Sequence, residues 1–158
     1  MQRILFVCLG NICRSPLAEG IMLHLKEKHK LEVHIDSAGT ASYHIGEAPD
    51  PRTIANAKKN GVDLSKLRAR QFGSKDFDQF DLIYVMDRSN LKNVQRLASH
   101  DHHLKKVSLF LDLLHPKEEM EVPDPYYGNE ELFEEVFQLV YRTCETLVQK
   151  ITVASNDK

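Results

Sequence analysis

Ile4-Leu5-Phe6-Val7-Cys8-Leu9-Gly10-Asn11-Ile12-Cys13-Arg14-Ser15-Pro16 is an apolar run, a short loop and a helix start, and it decides the fold. An unbroken apolar run ending at Cys8 suits a strand of a parallel sheet, where both faces are covered. Ser15-Pro16 reads as an N-cap followed by proline at the first helical position. Strand, loop and helix make the first half of a βαβ unit, and ligands bind such sheets at the strands' carboxyl edge. Cys8 precedes Arg14 by six positions. That is enough chain to curl around one tetrahedral anion with its amides facing inward. The guanidinium then closes the ring bidentately, and the sulfur lies beneath the central atom.

The rest of the chain continues the alternation. Leu17, Ile21, Met22 and Leu25 recur at helical spacing to about Lys28, with Lys26, Lys28, His29 and Lys30 in the last turn, where cations suit the helix dipole. Val33 to Ser37 reads as a second strand, followed by a loop to residue 50. Asp50-Pro51 opens a helix that ends at Asn60-Gly61. A short helix is expected near Ser74–Phe77, a third strand over Phe80–Met86 and a helix over residues 89–98. A fourth strand is expected over Lys106–Phe110. A final helix starts near Glu130, with Leu132, Val136, Leu139, Val140, Cys144, Leu147 and Ile151 as its apolar stripe; residues 154–158 are expected to fray. Strands alternating with helices give an α/β fold with a parallel sheet and right-handed crossovers, here one domain over residues 1–158.

Bulk composition excludes several classes. The net charge of −2 leaves no basic field to recruit nucleic acid. No apolar stretch approaches the ~20 residues of a membrane span, and Ile4-Leu5-Phe6-Val7 is too short for a signal-peptide core. Three cysteines, an odd number, argue against a disulfide framework and for a cytoplasmic protein. His100, Asp101, His102 and His103 cluster, but adjacent histidines rarely converge on one ion, so no metal site is expected.

A helix N-terminus offers orphan amides and a partial positive charge, and anions bind there. Gly10 permits positive φ and Asn11 tolerates the left-handed region, so successive amides can face one centre. The same field favours the Cys8 thiolate, and Ser15 can donate a hydrogen bond to it. Cys8 is therefore the candidate nucleophile toward a phosphoryl group. Cys13 is either a small buried hydrophobe or a partner that forms a reversible disulfide with oxidised Cys8. Cys144 belongs to the core.

A phenolate or alkoxide leaving group needs a proton. The best donor is Asp124, in Val122-Pro123-Asp124-Pro125-Tyr126-Tyr127-Gly128, where flanking prolines stiffen the backbone. Tyr126 and Tyr127 can line a slot for an aromatic ring.

Together the loop of residues 7–16 and Asp124-Pro125-Tyr126-Tyr127-Gly128 resemble the low-molecular-weight protein tyrosine phosphatases. Asp36-Ser37-Ala38-Gly39-Thr40, Asp50-Pro51-Arg52, Ala69-Arg70-Gln71 and Met86-Asp87-Arg88-Ser89-Asn90 extend the resemblance over nearly the whole chain. It implies a three-layer αβα domain with a four-stranded parallel twisted sheet, its phosphate-binding loop after the first strand. It also implies hydrolysis of phosphotyrosine proteins or small aryl phosphates without metal or cofactor, with inhibition by phosphate and vanadate. By position, Cys8 is the nucleophile, Arg14 binds phosphate, and Asp124 is acid and then base. Ser15 tunes the sulfur, Asn11 holds the loop through Ser37, and Asp87 braces it. Some family members carry a tryptophan on the slot wall; Tyr43 stands in that place here. Ile12, where phosphoarginine-directed relatives tend to have threonine, looks like the tyrosine-directed members.

Two other readings use the same loop. Arsenate reductases of this kind need a resolving cysteine pair downstream of the loop, and residues 14–143 contain no cysteine. A non-catalytic phosphate-binding module would have no need of Asp124.

Overall fold

The computed structural model describes residues 1–156. In chain order the elements are β1 (Gln2–Cys8), α1 (Arg14–His29), β2 (Val33–Gly39), α2 (Pro51–Lys59), α3 (Asp76–Gln79), β3 (Leu82–Val85), α4 (Arg88–Gln95), α5 (Asp101–Leu104), β4 (Val107–Leu109) and α6 (Glu130–Asn156). A 3-10 turn over Phe110–Leu113 follows β4. The four strands form one parallel sheet in the order β2-β1-β3-β4.

Period-two alternation explains the unbroken apolar run of β1. Ile4, Phe6 and Cys8 pack on one face with α1, α2 and α6, through residues such as Ile21, Ala57 and Val140. Leu5 and Val7 pack on the other with Phe77 and Val94 from α3 and α4. The result is three layers, αβα. β1 lies inside the sheet and both its faces are dry from Ile4 to Cys8, so that stretch needs no polar residue before the loop begins.

Several boundaries differ from the sequence expectation. The third strand covers only Leu82–Val85, because Asp87 caps α4 with a reciprocal capping box to Asn90. The short helix after the 62–75 segment is Asp76–Gln79, and an unexpected turn, α5, holds His102 and His103. On α6, Phe133 and Phe137 are buried, while Leu132 and Leu139 are only partly so. That helix runs past Ala154 to Asn156, and the remainder of the expected frayed tail lies outside the described residues.

Ser15 is not an N-cap. Helix α1 begins at Arg14 behind Cys13, with no side-chain cap. Ser15 lies in the first turn, where its hydroxyl serves the sulfur. Proline at 16 still fits, since first-turn amides have no intrahelical partner.

The carboxyl ends of β1 and β2 meet tightly. Cys8 pairs with Gly39, and a Cβ on Gly39 would lie 2.8 Å from the Leu9 carbonyl oxygen and 3.2 Å from Asn11 Cβ. Backbone cannot yield there as a flexible side chain would. Gly39→Ala is therefore expected to lower stability by about 1–3 kcal/mol and to weaken anion binding by the adjacent loop. Urea denaturation and orthophosphate titration check this, and wild-type values for both would show the loop accommodates a methyl group.

Candidate active site

The loop from Cys8 to Arg14 is turned inside out by its carbonyls. Those of Cys8, Leu9 and Ile12 accept from the amides of Thr40, Ala41 and Asp50 in the surrounding structure. The loop's peptide bonds are trans, so each carbonyl opposes the next residue's N–H. The amides of Leu9, Gly10 and Cys13 therefore face the opposite way, toward the loop's centre. Asn11 makes the sharpest turn, at φ 58°, in the left-handed region that asparagine tolerates. Gly10 does not have positive φ. Its smallness serves a different purpose, since a Cβ there would lie 3.1 Å from the His44 ring.

Cys8 Sγ lies at the floor, 2.9 Å from Ser15 Oγ and 3.3 Å from the Asn11 amide nitrogen, which donates to it. Hydrogen-bond arithmetic orients the serine. Asn11 Oδ1 accepts from the Arg70 amide at 3.0 Å, so Nδ2 faces the hydroxyls. Nδ2 donates to Ser15 Oγ at 2.8 Å and to Ser37 Oγ at 2.9 Å. With Ser15 Oγ already accepting, its own hydrogen points to the sulfur, as the other acceptor, the Ala38 carbonyl, is 3.4 Å away.

Arg14 is 3% exposed. Nη1 donates to Asp87 Oδ2 at 2.7 Å and to the Val122 carbonyl at 3.0 Å, and Nη2 is 3.6 Å from Asp124 Oδ2. Burial works against its charge, but Cys8, Asp87 and Asp124 outweigh it and hold the guanidinium protonated more firmly than usual. Asp124 lies at the rim, half-exposed, with Oδ1 accepting from the Tyr126 amide at 3.1 Å.

These groups border one pocket of about 270 Å³, lined by Cys8, Leu9, Gly10, Ile12, Cys13, Arg14, Tyr43, His44, Asp124, Tyr126 and Tyr127. The three tyrosines and Ile12 form its walls. Ser37 and Asp87 stand behind, through Asn11 and Arg14 respectively. The three cysteines are free and buried. Burial pushes the Cys13 thiol up to about 12, so it stays protonated at neutral pH. Cys144 is fully buried between α6 and α1. Among the described residues no cluster of three His, Cys, Asp or Glu side chains is placed to hold a metal ion, and no helix is long and apolar enough to cross a membrane.

Two residues at the site escaped sequence reasoning. His44 borders the pocket and pairs with Glu47. Glu19, buried on α1, accepts from Ser37 Oγ at 2.5 Å. The only sequence signal for Glu19 was a carboxylate inside the apolar stretch of α1, one turn after Ser15.

The Cys8 sulfur flooring a pocket beside a buried guanidinium, with a rim carboxylate in reach, places the molecule in the class of cysteine-dependent phosphatases. Comparison with known proteins narrows this. The family model described as low molecular weight phosphotyrosine protein phosphatase matches residues 3–156. The phosphatases of that name from Gallus gallus and Homo sapiens are 40% and 39% identical over 152 and 151 residues, covering 95% and 94% of this chain and 96% and 95% of their own. A crystal structure of a protein tyrosine phosphatase from Entamoeba histolytica superposes with a TM-score of 0.90 at 36% identity, covering 98% of this chain and 99% of its own. Wzb of Vibrio vulnificus, solved in complex with benzylphosphonate, gives 0.83 at 32% identity over 94% and 98%. The chain belongs to the low molecular weight phosphotyrosine protein phosphatases.

Glu19 carries a pH signature. Burial above all, with Asp36 adding and Ser37 and Arg70 opposing, raises its carboxyl from 4.5 to about 7. Between those values the folded protein holds a proton that the unfolded chain has released. Its contribution to stability is thus greatest below about pH 4.5 and is lost as pH rises toward 7. Glu19→Gln keeps an acceptor for Ser37 and removes the titration. It is expected to flatten stability between pH 5 and 8 and to gain on the order of 1–3 kcal/mol at pH 8. Urea denaturation across that range tests this, and parallel wild-type and variant curves would refute it.

Proposed function

We propose that this phosphatase hydrolyses phosphotyrosine in proteins, and small aryl phosphates, with Cys8, Arg14 and Asp124 in the roles their positions offer. The ester dianion enters the pocket with its oxygens among the loop amides and the Arg14 fork. Cys8 attacks phosphorus in line as the P–O(aryl) bond breaks, and the Asp124 carboxyl gives its proton to the departing phenolate. The resulting cysteinyl-phosphate is hydrolysed by a water that Asp124, now ionised, deprotonates. Phosphate leaves, and the sulfur is regenerated with its charge. Positioning and charge stabilisation account for most of the acceleration.

The Cys8 sulfur, met by the Asn11 amide and the Ser15 hydroxyl at the floor of the pocket beside a buried guanidinium, is the observation that carries this reading. Tyr43, Tyr126, Tyr127 and Ile12 supply flat apolar walls suited to a phenyl ring. The Vibrio vulnificus relative's complex pairs a phosphorus oxyanion with a benzyl group, which supports an aryl ester in the same place. Ile12 favours phosphotyrosine over phosphoarginine. Arsenate reduction finds no downstream cysteine pair, since Cys144 alone follows the loop and is buried in the core. Orthophosphate and vanadate are expected to compete for the pocket. Cytoplasmic residence rests on the three unpaired thiols. Cys13 is the candidate to trap a Cys8 sulfenic acid as a disulfide with release of water.

Cys8→Ser is expected to abolish turnover of p-nitrophenyl phosphate while retaining part of the phosphate binding; wild-type turnover would overturn the scheme. Asp124→Ala should slow aryl phosphate hydrolysis on the order of 10²–10⁴-fold. A panel of phosphotyrosine, phosphoserine and phosphoarginine peptides, run on wild type and Asp124→Ala, reads the substrate class. Equal rates on all three would remove the tyrosine preference.

A further inference from the structure

Asp124 lies in a segment with no regular structure, from the end of the 3-10 turn to the start of α6. Its neighbours Pro123 and Pro125 have no N–H, so neither can pin the backbone by donating. The residues on either side must hold the segment instead. Two residues before Asp124, the Val122 carbonyl accepts from Arg14 Nη1, and the Val122 amide donates to the Met86 carbonyl. Two residues after it, the Tyr126 carbonyl accepts from Arg52 Nη2 at 2.8 Å. The other main-chain bond on that side, from the Gly128 amide to the Pro125 carbonyl, is internal to the loop and anchors it to nothing.

Arg52, though half-exposed, is itself tied down. Its Nε and Nη2 grip the Asp50 carboxylate at 3.1 and 2.8 Å, and that carboxylate also accepts from the Arg52 amide as the cap of α2. The guanidinium carbon lies 4.7 Å from the centre of the Phe133 ring on α6 and 5.5 Å from that of Tyr126, within cation–π range of both. One cation thus binds the Tyr126 backbone and underlies its ring. The Tyr126 amide in turn donates to Asp124 Oδ1.

We propose that Arg52 is a positioning residue for the Asp124 acid. Through the Tyr126 carbonyl and ring it fixes the far side of the loop, and so the reach of the carboxyl toward the leaving oxygen. The inference rests on the reading of Asp124 as the acid. Lysine cannot replace it fully, because a point cation cannot hold a carboxylate bidentately and bind a carbonyl at the same time.

The test is the dependence of kcat/KM on the leaving group, using phenyl, p-nitrophenyl and 2,4-dinitrophenyl phosphates. Arg52→Met is expected to lose on the order of 10- to 10²-fold on phenyl phosphate and little on the dinitrophenyl ester, which departs without a proton. Arg52→Lys should fall between it and wild type, and serves if Arg52→Met does not fold. Combining Arg52→Met, or Arg52→Lys, with Asp124→Asn should add no further loss. The competitive inhibition constant of orthophosphate should stay within about twofold of wild type, because the pocket floor is untouched. An equal loss on all three esters, or a matching loss of orthophosphate binding, would mean that Arg52 acts through Asp50 and the Ile12 carbonyl rather than through the acid, and would overturn the proposal. If Asp124→Asn itself leaves the leaving-group dependence unchanged, the reading of Asp124 as the acid fails instead.

Discussion

One buried charge organises the strands' carboxyl edge. Arg14 is almost wholly removed from water, and an uncompensated cation at that depth costs several kcal/mol. Asp87 at the end of β3 supplies the counter-charge, Val122 an acceptor, and Asp124 a second carboxylate further out. These partners come from two stretches of chain, around residues 87 and 122–124, both far from Arg14 in sequence. Satisfying the guanidinium therefore joins the first loop to the end of the third strand and to the Asp124 loop in one step. Neither Asp87 nor Val122 can withdraw without leaving Nη1 of a desolvated guanidinium short of a partner, whereas the half-exposed Asp124 is free to do so.

The arrangement leaves capacity where the chemistry needs it. Nη1 is saturated by Asp87 and Val122, while Nη2 has only the long 3.6 Å contact to Asp124. A dianion in the loop competes for Nη2 with better geometry, at the bidentate distance that guanidinium groups favour. On the proposed reading of Asp124 as the acid, the dianion then takes the place of the Asp124 carboxylate at Nη2 and leaves that carboxyl facing the leaving oxygen.

The parts legible in sequence were those set by local rules. The β1 run, the left-handed Asn11, the Pro-Asp-Pro segment and the Asp50 cap each follow from the residue and its immediate neighbours. Ser15 misled for the same reason: serine before proline is good cap chemistry, and only the tertiary position of Cys8 redirects its hydroxyl. Gly10 misled likewise, because a glycine in a loop reads as backbone freedom when its use here is room for the His44 ring. Glu19 and Arg52 were visible as residues but silent as to role. Their partners Ser37 and Tyr126 stand 18 and 74 positions away, and helical periodicity says which side a residue takes without saying what faces it. The αβα layering was legible because it needs only the order of elements. Of the wiring behind the loop, the Asn11–Ser37 link and the Asp87 brace came only through the family resemblance, and the rest was not legible, because it needs packing.

That wiring makes one side-chain amide serve both the Cys8 sulfur and the Glu19 carboxyl. Asn11 Nδ2 has two hydrogens: one serves Ser15 and through it the Cys8 sulfur, the other serves Ser37 and through it Glu19. Hydrogen-bond chains polarise along their length, so charge at one end draws donor strength from the other. A fully ionised Glu19 would pull Asn11 toward Ser37 and weaken what Ser15 gives the sulfur. Burial answers this by holding the carboxyl's proton until about pH 7. On the proposed reading of Cys8 as the nucleophile, a Glu19 carboxyl that keeps its proton below about pH 7 orders Ser37 without drawing on the amide that serves Ser15 and the sulfur.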